Sequence, residues 1–312
     1  MLAVIESRGL ILREYLLLTK PGIILGNLVS FLGGYFLAAR GRIEGLLLLE
    51  TGLGIALVMA CGCVCNNLID RDIDRIMTRT RRRSLVTGAI SPLAAGVMAA
   101  LMGAAGFALL AAGGGLLTVA VVLVGFLTYV VLYSLHWKRQ SVHGALVGSL
   151  AGATAPVAGY CAVSGQFDLV AVVLLAIFCL WQMPHAHAIA IARLRDYTSA
   201  RIPVLPVREG IARTKRHILG YILAFLAAVA ALPLLHVVGW AYSLTMTLVG
   251  AGWLRLAVQG RRAADDRVWA RSVFGYSLLV VLALSLMMAI DPVAAPATPA
   301  ASTALRALNG PG

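Results

Sequence analysis

Hydrophobic positions in this chain run in long uninterrupted stretches. Asp, Glu, Lys and Arg are absent from seven segments, which cover residues 21–39, 51–69, 84–137, 140–167, 169–192, 217–254 and 272–290. One helix needs about 20 apolar residues to cross the hydrocarbon core of a bilayer. Five of these segments fit one helix each and the two longest fit two each, which predicts nine membrane-spanning helices.

The pattern predicts an all-α fold, a polytopic membrane helical bundle that forms a single domain over residues 1–290. A short N-terminal segment, 1–20, precedes the first helix, and the Ala- and Pro-rich residues 291–312 are expected to be disordered because they have no apolar face to bury. The expected helices cover 21–39, 46–66, two in 92–137 divided at 113–115, 143–163, 169–190, two that divide near 236–240, and 272–290.

Composition excludes several other classes of protein. Hydrophobic residues make up 60% of the 312 positions, and the mean hydropathy is +0.89. These values exclude a soluble α/β enzyme, a secreted disulfide scaffold and a disordered chain. The net charge of +13 does not indicate nucleic-acid binding, because 23 of the 26 Lys and Arg residues fall on one side of the predicted bundle.

The positive-inside rule makes that side cytoplasmic, with the N-terminus in the cytoplasm and the C-terminus in the periplasm. The first 20 residues mix Glu6 and Glu14 with Arg8 and Arg13, which fits neither a signal peptide nor an organellar transit sequence. The predicted location is a bacterial inner membrane, in contact with membrane lipid, including anionic lipid.

Two long polar segments, 66–92 and 191–216, lie on the predicted cytoplasmic side. In the first, Asn66, Asp70 and Asp74 recur every four residues, which places them on one helix face. Carboxylate and amide oxygens in this arrangement suit Mg²⁺ bound to a diphosphate, and ionisable residues at a membrane boundary mark functional sites. The alternative is a solvated helix end held by salt bridges with neighbouring arginines.

The second segment contains Asp196, whose carboxylate is expected to face a second metal or a shared diphosphate site if the two loops meet. By itself, Asp196 would be interpreted as a surface carboxylate paired with Arg195. Asp72 points away from the face described above and is expected to serve arginines or solvent. His185 follows Pro184 within the sixth helix, and it is either a haem-binding or proton-transferring residue or a hydrogen-bonded core histidine.

These motifs resemble those of the UbiA superfamily of intramembrane prenyltransferases and, within it, the haem O synthase branch. The superfamily's first Asp-rich motif, Asn-x3-Asp-x3-Asp, corresponds to Asn66, Asp70 and Asp74, and the nine expected helices match its bundle. More specific blocks lie between residue 18 and about residue 210. They read Leu18-Thr19-Lys20-Pro21, Trp137-Lys138-Arg139, Trp181-Gln182-Met183-Pro184-His185 and Ile202-Pro203-Val204-Leu205-Pro206.

The resemblance implies transfer of a farnesyl group from farnesyl diphosphate to a vinyl group of haem b, which gives haem o. It implies that Asp70 and Asp74 hold Mg²⁺ while Asn66 orients the site. The cations expected at the diphosphate are Lys20, Arg79, Arg83, Lys138, Arg193 and Arg195. A haem A synthase or a terminal oxidase assembly is a candidate partner.

One position departs from the wider superfamily. Its second motif usually holds two Asp residues four apart, whereas Ala192 stands four residues before Asp196, with Arg193 and Arg195 nearby. Either a second metal binds more weakly here or arginine replaces part of its charge. The departure favours the haem O synthase branch.

Two other functions remain open. The chain is alternatively a UbiA-type prenyltransferase that acts on an aromatic acid or quinone precursor, which the block over residues 181–185 disfavours. A different class of protein, a non-catalytic multi-pass haem transporter, would be expected to place ionisable residues near the bilayer midplane and to show repeat symmetry.

Overall fold

The computed structural model describes residues 12–293, and nine long helices make up most of that part of the chain. A helical segment over residues 12–18 precedes them. The long helices are α1 Pro21–Ala39, α2 Gly45–Ile69, α3 Pro92–Gly113, α4 Gly115–Gln140, α5 Gly144–Ser164, α6 Leu169–Ala192, α7 Gly210–Val229, α8 Trp240–Gln259 and α9 Asp266–Ile290. The predicted all-α bundle is confirmed.

Eight of the nine helices are long and apolar enough to cross a membrane. The exception is α8, which carries Arg255 together with several hydroxyl-bearing and aromatic residues. Large apolar side chains such as Leu101, Leu116 and Leu248 lie exposed on the outer faces of the helices. An apolar exterior of this extent is stable only against hydrocarbon, and the chain is an integral membrane protein.

Two helices extend beyond the bounds expected for them. Helix α9 begins at Asp266 rather than at residue 272, because the Asp265 side chain caps it by accepting hydrogen bonds from the N–H groups of Arg267 and Val268 at 2.7 and 3.1 Å. Helix α2 likewise continues to Ile69, three residues past its expected end at 66. Charged residues therefore occupy helical turns at the membrane boundary.

The connection between α7 and α8 packs against the residues that follow α9. The backbone N–H of Tyr242 donates to Asp291 Oδ2 at 2.7 Å, and Val238 forms an antiparallel bridge with Pro292. Disorder was expected from residue 291 onwards, but Asp291 and Pro292 are packed against the connection between α7 and α8. Residues 294–312, for which disorder was also expected, lie outside the described part of the chain.

Small residues bring the helices of the bundle into close contact. A Cβ atom at Gly34 of α1 would lie 2.0 Å from Pro156 O of α5, and one at Gly159 of α5 would lie 2.4 Å from Phe31 O of α1. Because lipid tails are as apolar as leucine, membrane helices associate mainly through such packing. The α1–α5 pair thereby fixes the start of α1, and with it Lys20, relative to the rest of the bundle.

We expect Gly34→Ala to lower the free energy of unfolding by about 3 kcal/mol, since backbone atoms cannot move aside as a side chain would. Thermal unfolding of the detergent-solubilised protein measures the effect. The matched control is Gly26→Ala on the same helix, where a Cβ meets nothing within 4 Å. Equal stability of the two variants would contradict the close α1–α5 contact.

Candidate active site

The first candidate segment lies where α2 ends. Asp70 leaves the helix with φ −89° and ψ 6°, and the chain continues in a short helix, Arg71–Ile76. The backbone N–H of Asp70 still donates to Asn66 O at 2.9 Å, and that of Asp74 donates to Asp70 O at 2.8 Å. The four-residue spacing survives the break, and Asn66, Asp70 and Asp74, here termed the acidic cluster, are only 4, 1 and 2% exposed.

Asn66 and Asp70 form one hydrogen-bonded pair. Asn66 Nδ2 donates to Asp70 Oδ2 at 2.8 Å and to Ser134 Oγ at 3.0 Å. The Ser134 hydroxyl donates its own proton to Tyr129 O at 2.8 Å, so its oxygen serves Asn66 as an acceptor. Lys138 forms an ion pair with Asp70 Oδ2, which offsets the cost of burying that carboxylate.

Ser134 and Lys138 reach this pair through an irregular segment of α4. Residues Thr128–Trp137 form a π-helix, a wider turn that is frequent at functional sites. The residue pattern gives no role to Ser134 or to Arg139. The only signal for Arg139 was its place in the block Trp137-Lys138-Arg139, because a π-helix has no simple signature in residue spacing.

Arg139 binds the carboxylate that was expected to serve arginines. Its two terminal nitrogens donate to the two oxygens of Asp72, each at 2.7 Å, so the partner is an arginine of α4 and not one of the neighbouring arginines of the first loop. These hydrogen bonds hold the pKa of Asp72 below its ordinary value. Arg139 Nη2 also donates to Ile69 O at 2.7 Å and lies 3.8 Å from Asp70 Oδ1. The guanidinium therefore joins the end of α4 to the end of α2.

Asp74 has a different cationic partner. Arg83 Nη1 donates to Asp74 Oδ2 at 2.5 Å and to Asn67 Oδ1 at 3.0 Å. Thr80 Oγ1 donates to Asp74 O at 3.0 Å, and Asn67 Nδ2 donates to Leu18 O at 2.8 Å. These contacts close the first loop back onto its own helix and bring the sequence-predicted cation Arg83 to the acidic cluster.

Lys20 approaches the same place from the start of α1. Its backbone is left-handed, with φ 55°, and its Nζ donates to Asn66 Oδ1 at 2.5 Å. Burial lowers the pKa of Lys20 to about 8, and the neighbouring charges of Arg83 and Lys138 act in the same direction. Three of the predicted diphosphate cations, Lys20, Arg83 and Lys138, therefore converge on the acidic cluster.

The donor atoms of the acidic cluster fit a hard divalent cation. They are carboxylate and amide oxygens, and the buried Asp70 Oδ1 has no hydrogen-bond partner among the described residues. No group of three His, Cys, Asp or Glu side chains in residues 12–293 is arranged to hold a metal by itself. Magnesium typically takes one or two carboxylates and completes its shell with water and phosphate oxygens, so Asp70 and Asp74 fit an ion that arrives with a diphosphate.

Four other sequence-predicted residues line a separate cavity of about 680 Å³. It is lined by Arg79 of the first loop and by Arg193, Arg195 and Asp196 of the second, where Leu194–Ser199 forms a short helix. The structure thus brings the two loops together, as predicted, but the residues of the acidic cluster do not line this cavity.

Tyr197 follows the cavity-lining Asp196 in the short helix of the second loop. Burial raises the pKa of its hydroxyl, and the charges of Lys138 and Arg79 both act on it in the opposite direction. Its ring packs with Ile73 and Met77 of the first loop. The second loop therefore packs against the short helix that carries Asp74.

His185 occupies the interior of the bundle rather than either loop. Its ring lies between those of Trp181 and Phe274, with centroid distances of 4.9 and 4.8 Å. Its Nδ1 is 2.8 Å from Ser277 Oγ, and the Ser277 hydroxyl donates to Phe274 O at 2.6 Å. Since that hydroxyl has a single proton, its oxygen accepts from Nδ1–H, and the lone pair of the His185 ring resides on Nε2.

Curated proteins from several bacteria are similar to this chain over most of its length. "Protoheme IX farnesyltransferase 2" from Pseudomonas aeruginosa is 58% identical over 287 residues, which cover 92% of this chain and 97% of that protein. "Protoheme IX farnesyltransferase" from Chromohalobacter salexigens is 54% identical and covers 90% and 95%. The protein of the same name from Escherichia coli is 52% identical over 282 residues, 90% and 95% of the two chains.

Solved structures share the fold at low sequence identity. A digeranylgeranylglyceryl phosphate synthase superimposes with a TM-score of 0.73 at 18% identity, covering 89% of this chain and 99% of that one. A UbiA homologue from Aeropyrum pernix has a TM-score of 0.63 at 21% identity, covering 86% and 95%. A UbiA homologue from Archaeoglobus fulgidus, solved with GPP and Mg²⁺, has a TM-score of 0.63 at 16% identity, covering 88% and 99%.

A family model described as the UbiA prenyltransferase family matches residues 27–301, which include α2 with its acidic cluster, the π-helical segment of α4 and the second loop. The match and the identities above extend over far more than half of the chain. The chain therefore belongs to the UbiA prenyltransferase family.

Proposed function

We propose that this protein is a haem O synthase, which transfers the farnesyl group of farnesyl diphosphate to a vinyl group of haem b. The observation that carries the proposal is the buried acidic cluster, in which the carboxylates of Asp70 and Asp74 are paired with Lys138 and Arg83. Relatives that are 50–58% identical and named protoheme IX farnesyltransferase support the choice of substrates.

The acidic cluster is the proposed site of the diphosphate and its metal. Asp70 and Asp74 would hold Mg²⁺, and a neighbour of the same fold was solved with GPP and Mg²⁺. Asn66 would orient the site, since its Oδ1 accepts from Lys20 and its Nδ2 donates to Asp70. When bound, the ion supplies a Lewis acid that stabilises the charge of the leaving diphosphate. Lys138 and Arg83 are already within ion-pair distance of these carboxylates, so they would meet diphosphate oxygens without large movement.

The cations supply the main stabilisation of the reaction. Lys20, Lys138 and Arg83 face the position where negative charge develops as the C–O bond of farnesyl diphosphate breaks, and fixed charges there need no reorganisation. Arg79 of the first loop and Arg193 and Arg195 of the second line the cavity with Asp196 and add positive charge. Arg79, Arg193 and Arg195 are proposed as diphosphate contacts only because they line that cavity.

The covalent change balances with one water molecule. Loss of diphosphate leaves an allylic farnesyl cation, and the electron pair of the haem vinyl group forms the new C–C bond. Water adds to the resulting carbocation and releases a proton, which leaves a hydroxyethyl-farnesyl substituent. The buried, charge-lined position of the acidic cluster separates the donor from bulk water until the acceptor is present.

His185 is the proposed contact to haem iron. The hydrogen bond from Nδ1–H to Ser277 fixes the tautomer and leaves the Nε2 lone pair available, as in metal-binding histidines generally. Trp181 and Phe274 hold the ring in place from both faces. The residue is partly exposed rather than fully buried.

Location and orientation follow from the charge distribution. We propose a bacterial inner membrane with the N-terminus cytoplasmic and the C-terminus periplasmic, so that both candidate loops open to the cytoplasm. A haem A synthase or a terminal oxidase assembly is the kind of partner that would consume the product.

We expect purified protein in nanodiscs, given haem b, farnesyl diphosphate and Mg²⁺, to form haem o, detected by mass. Asp70→Asn should lower the rate by at least about 100-fold, because it removes a charged ligand of the Mg²⁺ that would stabilise the leaving diphosphate. Removal of Mg²⁺ with a chelator should have an effect of the same size in the unaltered protein.

The control for this variant is Asp72→Asn, which removes a neighbouring carboxylate that is 64% exposed and lies outside the acidic cluster. It should retain activity within about 10-fold, because its partner Arg139 also binds Ile69 O. Full activity of Asp70→Asn, or equal losses in the two variants, would refute the metal assignment.

Ser277→Ala should weaken haem binding by about 10-fold and shift the haem absorption bands, because His185 loses the partner that fixes its tautomer. His185→Ala should abolish the same spectral signature. His143→Ala, at the exposed start of α5, is the control and should leave the spectrum unchanged. An unaltered spectrum in His185→Ala would make this residue a packing element between Trp181 and Phe274.

A further inference from the structure

The cavity has a second wall that the proposed reaction does not use. The turn between α8 and α9 contributes Asp265, Asp266 and Arg267 to its lining, together with the arginines of the two loops. The sequence carried no motif in this third of the chain. Its position at the site therefore arises from the tertiary fold alone.

The turn is held rigidly in place. Lys215 of α7 forms an ion pair with Asp266, donates to Gly260 O at 2.7 Å and lies 5.2 Å from the centre of the Trp269 ring. Trp269 Nε1 donates to Leu256 O at 2.9 Å, and a Cβ at Gly260 would lie 2.4 Å from the same ring. A wall fixed by contacts of this kind is preorganised for a ligand.

The charges of the turn leave Arg267 available. The Asp265 carboxylate accepts hydrogen bonds from the backbone N–H groups of Arg267 and Val268, and Asp266 is paired with Lys215. The guanidinium of Arg267 forms no ion pair with any carboxylate in residues 12–293, and neither do those of Arg79, Arg193 and Arg195. The cavity thus has an excess of positive charge.

Arg267 is the one arginine of this lining that has no part in the proposed diphosphate contacts. Lys20, Arg83, Lys138 and Arg139 already surround the acidic cluster, and the metal would add charge of the same sign there. The cavity volume of about 680 Å³ falls within the range for one small organic ligand. Guanidinium groups match the geometry of carboxylates, to which they donate two parallel hydrogen bonds.

We propose that the wall formed by the α8–α9 turn receives the propionate edge of haem, with Arg267 donating to a propionate carboxylate. This inference rests on the proposed function, since it identifies how the acceptor is held. Vinyl and propionate groups occupy opposite edges of a porphyrin. An anchored propionate edge therefore directs the vinyl edge into the bundle, and Arg267 selects an acceptor with carboxylate side chains.

The test is an absorbance titration of the full-length protein in nanodiscs with haem b and with haem b dimethyl ester. Arg267→Gln should raise the Kd for haem b about 10-fold, as expected for loss of a charge-assisted hydrogen bond. The Kd for the dimethyl ester should be the same in the variant as in the unaltered protein. The KM for farnesyl diphosphate should stay unchanged. Arg271→Gln, one helical turn later and outside the cavity lining, is the control and should behave as the unaltered protein.

The propionate assignment would be overturned if Arg267→Gln lost affinity equally for haem b and its dimethyl ester, or lost affinity for neither. A change in the KM for farnesyl diphosphate in place of the change in haem affinity would also overturn it. Haem binding that depends on Arg267, in a protein that forms no haem o, would support this inference and refute the reaction. Failure of the unaltered protein to bind haem b would overturn both.

Discussion

Burial of two carboxylates at the end of a membrane helix is the constraint on which the rest of the site depends. Asp70 and Asp74 are almost inaccessible, and an unpaired charge in such a place costs several kcal/mol. Lys138 and Arg83 satisfy them, and Lys20 reaches the same cluster through Asn66. The start of α1, the first loop and the end of α4 are therefore held together by the need to pair these two carboxylates. The same cations can also pair with the phosphate oxygens of a substrate.

Close helix packing makes that convergence possible. Gly34 and Gly159 let α1 and α5 approach until their backbones touch, and this contact fixes the start of α1. The π-helical segment Thr128–Trp137 then turns the end of α4 towards the acidic cluster. Stability and chemistry depend on the same local irregularities, because a bundle of ideal helices would point these side chains elsewhere.

Much of the architecture was predictable from residue pattern, and some of the site was. The spacing of Asn66, Asp70 and Asp74 survives in the folded chain, although Asp70 separates α2 from the short helix that carries Asp74. The roles of Ser134 and Arg139 were not predictable, since each acts through a partner about 70 residues away. Spacing along one helix reports which side chains share a face, but it does not report what faces them.

The sequence by itself determined where the chain crosses the membrane and which short segment carries carboxylates. Both follow from local physics, because a spanning helix satisfies its backbone hydrogen bonds within its own residues. Only the tertiary structure decided which cation pairs with which carboxylate, and that the α8–α9 turn with Arg267 forms a wall of the cavity. Those pairings depend on distances between segments remote in sequence, which packing of the whole bundle sets.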